Sequence, residues 1–259
     1  MYNRLKDELA VCGLNAVKAV ADVHPQTINR LFMREEHLDS FRTLCKDMAE
    51  RKRPYKLCDD EELERICKSV HHQGIVAMIE EPEAPPLTRD DLDLWAAEGK
   101  TGIVLHSVGN DHNLGAIIRS AAFFDVHFVV ISELDKYAKL TTSAYRVAEG
   151  GMEYVNIRSV HRSESFLSDA AKQLLVVGAD PRARRRIGNI GSVIEEHPSV
   201  IAGKGRPGIA LVVGNEESGL PEAVKSKCTA LLRINGTGNI ESLNVAQAAS
   251  LFLYAIYNA

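Results

Sequence analysis

Three stretches of this chain concentrate polar side chains for which a packed core has no use. Residues 109–119 carry Asn110, Asp111, His112, Asn113 and Arg119. Residues 214–220 carry Asn215, Glu216, Glu217 and Ser218 between Gly214 and Gly219. Residues 236–247 carry Asn239, Glu241, Ser242, Asn244 and Gln247 after Gly236 and Gly238. Amides and carboxylates beside apolar segments need partners, so they gather where a pocket supplies them. Arg119 and Ser120 are the only polar side chains in residues 114–124. A guanidinium there is costly to bury without a carboxylate, a phosphate or a watery cleft. It serves either a structural pair with an acid such as Glu216 or a cation aimed at an anionic or hydroxylic substrate.

Each stretch follows an apolar run, and those runs define the elements that must hold the residues in place. Strands are expected over 103–106, 128–131, 174–177, 209–213 and 231–234, with helices between them and a last helix over 242–257. Strands without clean alternation, separated by helices, argue for an α/β fold whose parallel sheet is covered on both faces. Ligands of such sheets sit beyond the carboxyl ends of the strands, where all three stretches begin. Gly214 and Gly219 let backbone approach a ligand closely. No Gly-Lys-Ser/Thr follows to make a Walker A loop, and Gly-x-Gly-x-x-Gly is lacking. Ser242 or Asn244 can cap the final helix. Leu243, Ala246, Ala249 and Leu253 are expected to pack it, leaving Phe252, Tyr254 and Tyr257 as an apolar outer surface suited to a subunit interface.

The 259 residues allow one large domain or two moderate ones, and 45% hydrophobic residues can build a core. Residues 80–86 contain three prolines among acids, which reads as a stiff linker. Before it lies a smaller α/β unit with helices over 14–23, 38–50 and 61–69 and strands over 28–33, 55–58 and 75–79. The expected division is 1–81, a linker and lead-in helix over 82–99, and 100–259. No run is long enough for a membrane span and no signal-peptide core opens the chain, so a cytoplasmic location is expected. Five cysteines without a Cys-x-x-Cys pair, and histidines without ligand spacing, argue for buried thiols and no metal. A net charge of −4 gives no global attraction to nucleic acid, so phosphate contacts would need local patches. Two exist, Arg51-Lys52-Arg53 and Arg182 with Arg184, Arg185 and Arg186; each is also readable as solvated loop charge.

Asn113 with Arg119 six residues on, Gly214-x-Glu216-x-x-Gly219-Leu220, and Ser242-Leu243-Asn244-Val245 together resemble the motifs of the SpoU-type (TrmH-like) RNA ribose 2′-O-methyltransferases of the SPOUT class. The similarity covers roughly residues 100–259. Where that family usually has Ile-Pro-Met, this chain has Ile234, Asn235 and Gly236. The first eighty residues, with His72, Gln73 and Gly74, look like the ribosomal-protein-like RNA-binding domain many members carry. The resemblance implies a SPOUT domain with a deep C-terminal trefoil knot, a homodimer formed through that domain, and S-adenosylmethionine as cofactor. It implies transfer RNA or ribosomal RNA as substrate. Gly214, Asn215, Glu216, Ile234, Leu243 and Asn244 would hold the cofactor. Arg119 would favour the ribose oxyanion, with Asn113, Glu216, Ser242 and Asn244 orienting the groups around it. A non-catalytic RNA-binding or ribosome-assembly protein keeping the fold is the alternative, suggested by Asn235 and Gly236.

Overall fold

The computed structural model describes residues 8–133 and 139–259, which form two compact units. The first comprises the chain up to Glu83 together with Leu140–Tyr154. Its strands are β1 (Glu8–Cys12), β2 (Ile28–Met33), β3 (Tyr55–Leu57) and β4 (Ile75–Glu80), in the order β1-β4-β2-β3. Strand β4 runs antiparallel to β1 and β2, while β3 joins β2 in parallel. Strand β1 lies outside the sequence expectation. Glu8 and Ala10 are poor strand formers, and the segment becomes a strand through its pairing with β4.

In the helix Leu14–Val23 the first turn is capped from a distance, by the Gln73 Oε1 accepting from Leu14 N at 2.8 Å. Gly74 (φ 77°) leaves room for the Arg34 and His37 side chains, which a Cβ there would strike. That gives His72, Gln73 and Gly74 a structural role. The helix Thr142–Ala148 buries Ala144, Tyr145 and Ala148 in this first unit. Asn15 donates to Glu149 at 2.7 Å and His24 lies 2.6 Å from Glu153, tying Leu140–Tyr154 down. Leu140–Tyr154, within the expected 100–259 division, thus groups by its contacts with the first unit, where its small and aromatic residues are buried.

The second unit holds β5 (Thr101–Leu105), β6 (Phe128–Ser132), β7 (Asn156–Val160), β8 (Leu175–Ala179), β9 (Arg185–Arg186), β10 (Ile209–Val213) and β11 (Ala230–Arg233). Among the described residues they form one sheet, β7-β6-β5-β10-β8-β11-β9, with every neighbouring pair parallel. Val104, Val130, Val176, Ala210 and Val212 pack one face against Trp95, Leu167 and Val224. Alternate residues such as Ile103, Val129, Val177 and Leu211 are also fully buried, so both faces are covered. The helices Asp111–Phe123 and Val245–Tyr257 pack on each other, the latter also on β10. β7 is polar for a strand and escapes the apolar pattern. The proline-rich linker completes it: Ser159 N donates to Pro85 O and Leu87 N to Ser159 O, both at 2.8 Å. No helix among the described residues is long and apolar enough to cross a membrane.

The helix Arg89–Ala97 plugs the sheet from one side. It opens with a capping box between Thr88 and Asp91. Burial raises the Asp91 carboxyl, but hydrogen bonds from Thr88 and Arg158 outweigh it and leave the group below its ordinary range. Trp95 is fully buried, its indole N–H shared by the carbonyls of Lys100 (3.0 Å) and Ile209 (3.3 Å), and its ring fills the space a side chain at Gly102 would need. Truncating it would remove a large apolar plug and the indole hydrogen bonds to Lys100 and Ile209. Trp95→Ala is expected to lower unfolding free energy by about 3–5 kcal/mol in urea titration.

Candidate active site

The polar stretches begin where β10 and β11 end and where β5 leads into the helix Asp111–Phe123. Asn110 caps that helix, its Oδ1 accepting from His112 N at 2.8 Å. Asn113, in the first turn, donates through Nδ2 to Glu216 Oε1 at 2.6 Å. Its Oδ1 accepts from Asn244 Nδ2 at 2.9 Å. Asn244 in turn caps the final helix, its Oδ1 accepting from Ala246 N at 2.8 Å. Of the two residues able to cap there, Asn244 does so. One directional relay, Asn244 to Asn113 to Glu216, thus joins all three stretches. The second Glu216 oxygen accepts from Gly109 N and Asn215 Nδ2, both at 3.4 Å.

The middle stretch is shaped by its own short bonds. Asn215 Nδ2 donates to Ser107 O at 2.9 Å. Its Oδ1 accepts from Glu217 N, Ser218 N and Ser218 Oγ at 3.0–3.1 Å, an Asx-type turn. A side chain at Gly214 would lie 2.5 Å from Gly219 backbone, so only glycine lets the turn close.

A cavity of about 1030 Å³ opens beyond these strand ends. It is lined by Gly214, Asn215, Glu216, Ile234, Ser242 and Leu243 from the anticipated set. Residues 179–182, Arg186, Arg233 and Phe252 complete it. The 180–182 turn was missed as a wall, although it follows β8 as the other stretches follow their strands; only the basic character of Arg182 and Arg186 stood out. Behind it Lys225 lies 3.3 Å from Asp180 and 2.5 Å from Glu222, whose hydrogen bond raises the ammonium pKa, with Asp180 adding to the shift.

Three expectations are corrected. Residues 235–244 are exposed along their length. Leu243 is exposed on the cavity instead of packing the final helix, whereas Phe252 is buried behind the cavity while Tyr254 and Tyr257 stay exposed. Arg119 does not pair with Glu216, whose oxygens are taken by the relay. It is exposed, does not line the cavity, and has no carboxylate within ion-pair distance among the described residues. Its neighbour Ser120 meets Ser250 at 2.7 Å, locking the two helices together.

All five cysteines are free thiols. Burial pushes Cys12 and Cys228 up to about 12, far from a nucleophilic thiolate at neutral pH. No group of residues spaced to hold a metal occurs among the described residues.

The SpoU rRNA Methylase family matches residues 100–254, spanning the relay and the cavity. The chain belongs to this family. The RNA 2′-O ribose methyltransferase substrate binding family matches residues 10–85. The chain is 29% identical over 249 residues to the 23S rRNA (guanosine-2′-O-)-methyltransferase RlmB of Acinetobacter baylyi, covering 93% of this chain and 94% of that one. The AdoMet-bound rRNA methyltransferase of Sinorhizobium meliloti shares its fold with a TM-score of 0.76 at 20% identity, covering 98% and 88% of the two chains. The SpoU methyltransferase AviRb of Streptomyces viridochromogenes, solved with AdoMet, gives 0.74 at 19% identity, covering 99% and 94%.

The relay predicts energetic coupling between stretches more than a hundred residues apart. Removing the Asn113 amide leaves a Glu216 oxygen and the Asn244 N–H unpartnered. A double-mutant cycle of Asn113→Ala and Glu216→Ala, followed by urea unfolding, is expected to show coupling of about 0.5–3 kcal/mol. Additive effects would mean the SpoU relay is a surface contact without structural weight.

Proposed function

We propose that the protein methylates ribose 2′-hydroxyl groups of RNA, using S-adenosylmethionine held in the cavity beyond β10 and β11. The observation that carries this reading is the convergence of Gly214–Leu220 and the 234–244 segment on that cavity, joined to Asn113 by one hydrogen-bond relay. The cavity suits the cofactor. Its volume is at the upper end of small-molecule sites, roughly 300–1,000 Å³. Its walls combine glycine backbone and apolar Leu243 and Phe252 with the carboxylates of Glu216, Glu217 and Glu241 for a positively charged ligand. When bound, S-adenosylmethionine supplies a methyl group on a positively charged sulfur. Gly214, Asn215, Glu216, Ile234 and Leu243 would hold it from the cavity lining, with Ser242 beside them and Asn244 bounding the segment from the helix cap.

A ribose hydroxyl is a weak nucleophile until it loses its proton. The Arg119 guanidinium acts as a cation that stabilises the forming 2′-oxyanion and the neighbouring RNA phosphate. That phosphate is the proton acceptor on this reading. Asn113 and Asn244 hold the helix N-termini on which this geometry depends.

Arg119 is exposed one helical turn from exposed Phe123, and the packed final helix exposes Tyr254 and Tyr257, an apolar surface that suits a second copy of the chain. A homodimer formed there through the C-terminal unit, with the knot typical of the family, would set Arg119 against the partner's cavity. The RlmB likeness over nearly the whole chain favours ribosomal over transfer RNA. Cytoplasmic ribosomal RNA fits the expected location.

Purified protein with methyl-labelled cofactor and ribosomal RNA is expected to incorporate label at ribose 2′ positions. Arg119→Ala should lower the rate about 10²–10³-fold while leaving unfolding unchanged. Full activity in that variant would remove Arg119 from the chemistry, and absence of cofactor binding by calorimetry would favour the non-catalytic reading.

A further inference from the structure

The proposed chemistry leaves both basic clusters unused. In the first, Arg51 pairs with Asp47 at 2.9 Å, and Arg53 donates to the carbonyls of Gln26 and Ile28 at 2.5 and 2.6 Å. Those two arginines brace their own unit.

The second cluster is built differently. Arg185 and Arg186 make up β9, so their side chains leave opposite faces. Arg185 is spent on Glu196, at 2.8 Å. Arg186 stands in register with Arg233 on the adjacent parallel strand β11, which sends both side chains to the same face, and both line the cavity. Neither has a carboxylate within ion-pair distance among the described residues, and Arg233 Nε is buried without a hydrogen-bond partner. Like charges side by side on neighbouring strands repel, and a buried N–H without an acceptor adds a desolvation cost. Arg182 brings a third cation to the same wall. Its nearest acid is Asp180 at 3.9 Å, but Asp180 already accepts from the Arg182 backbone N–H at 2.9 Å and pairs with Lys225 at 3.3 Å. The Arg182 side chain is 77% exposed. The cavity's free carboxylates, Glu217 and Glu241, belong to the other two walls and reach none of the three arginines.

Three cations short of acceptors on one rim are completed by an anion. One small carboxylate would satisfy a single guanidinium, whereas two exposed arginines flanking a half-buried one match successive phosphates of a strand. We propose that Arg182, Arg186 and Arg233 seat backbone phosphates of the RNA at the rim of the cofactor cavity and position the strand there. This rests on the reading of the protein as an RNA methyltransferase.

Phosphate contacts are indifferent to sequence, so a fluorescein-labelled RNA hairpin of arbitrary sequence is a sufficient probe. The Arg182→Gln, Arg186→Gln double variant is expected to bind it about tenfold more weakly and to lower the slope of log affinity against log salt by about 2. Arg185→Gln, on the other face, should stay within about twofold of the unaltered protein, and cofactor affinity by calorimetry should not move in either variant. An unchanged salt slope in the double variant overturns the seat. So does a tenfold loss of cofactor affinity with hairpin binding intact, which would assign these arginines to the cofactor. If the unaltered protein binds hairpin and cofactor but methylates no RNA, the enzymatic reading fails alone and the arginine effect on binding still decides the seat.

Discussion

The site depends on the orientation of two side-chain amides. Asn244 uses its oxygen on its own helix and its N–H₂ on Asn113, which leaves the Asn113 oxygen as acceptor and its N–H₂ as donor to Glu216. No step can be reversed without breaking the next, because an amide presents an acceptor on one side and donors on the other. Aspartate in place of either asparagine would set two acceptors against each other. The Glu216 carboxylate also sits by the N-terminus of the helix Asp111–Phe123, where the helix dipole favours negative charge. Three segments with little regular structure of their own thereby acquire one geometry.

The surrounding sheet makes that geometry worth having. β5, β10 and β8 are adjacent and buried on both faces, so their carboxyl ends are fixed relative to one another. The loops are then short excursions from rigid points. Residues 235–244 illustrate the consequence: they are exposed along their length, yet are anchored at Arg233 in β11 and at the Asn244 cap. A segment with so little packing can adapt to a ligand without disturbing the core, and its glycines at 236 and 238 face open space.

Much of this was legible in the sequence for identifiable reasons. β6 and β10 are unbroken apolar runs, and no competing pattern exists for them. The residues gathered at the site announced themselves by being polar at strand ends. What stayed hidden depends on partners far away in the chain. β1 and β7 become strands because β4 and β6 pair with them, the linker adding a bridge at Ser159. Leu140–Tyr154 shows an ordinary amphipathic helix, and nothing local says that its buried face belongs with residues 8–83. Phe252 and Tyr254 differ by two positions on one helix, and periodicity alone did not tell which face the sheet would take. Glu216 could have paired with Arg119 or Asn113 on composition alone. The choice of Asn113 follows from its place in the first helical turn, whereas Arg119 comes more than a full turn later.

The electrostatics of the cavity carry this division of labour further. The chain is net acidic, so long-range attraction cannot bring a polyanion to it, and local arrangement must do so. Carboxylates are placed on the loops after β10 and β11, and arginines on the wall built from β9 and the end of β11. Within one cavity these signs would cancel if the side chains were free to meet, but among the described residues the one ion pair between them is the long 3.9 Å contact of Arg182 with Asp180. The relay holds Glu216, Lys225 and the Arg182 backbone N–H engage Asp180, and the β9–β11 register holds Arg186 beside Arg233. Separation of charge inside one small volume is costly, and it persists because each member is fixed by backbone or amide geometry. A site built in this way can accept a cationic small molecule and an anionic strand side by side.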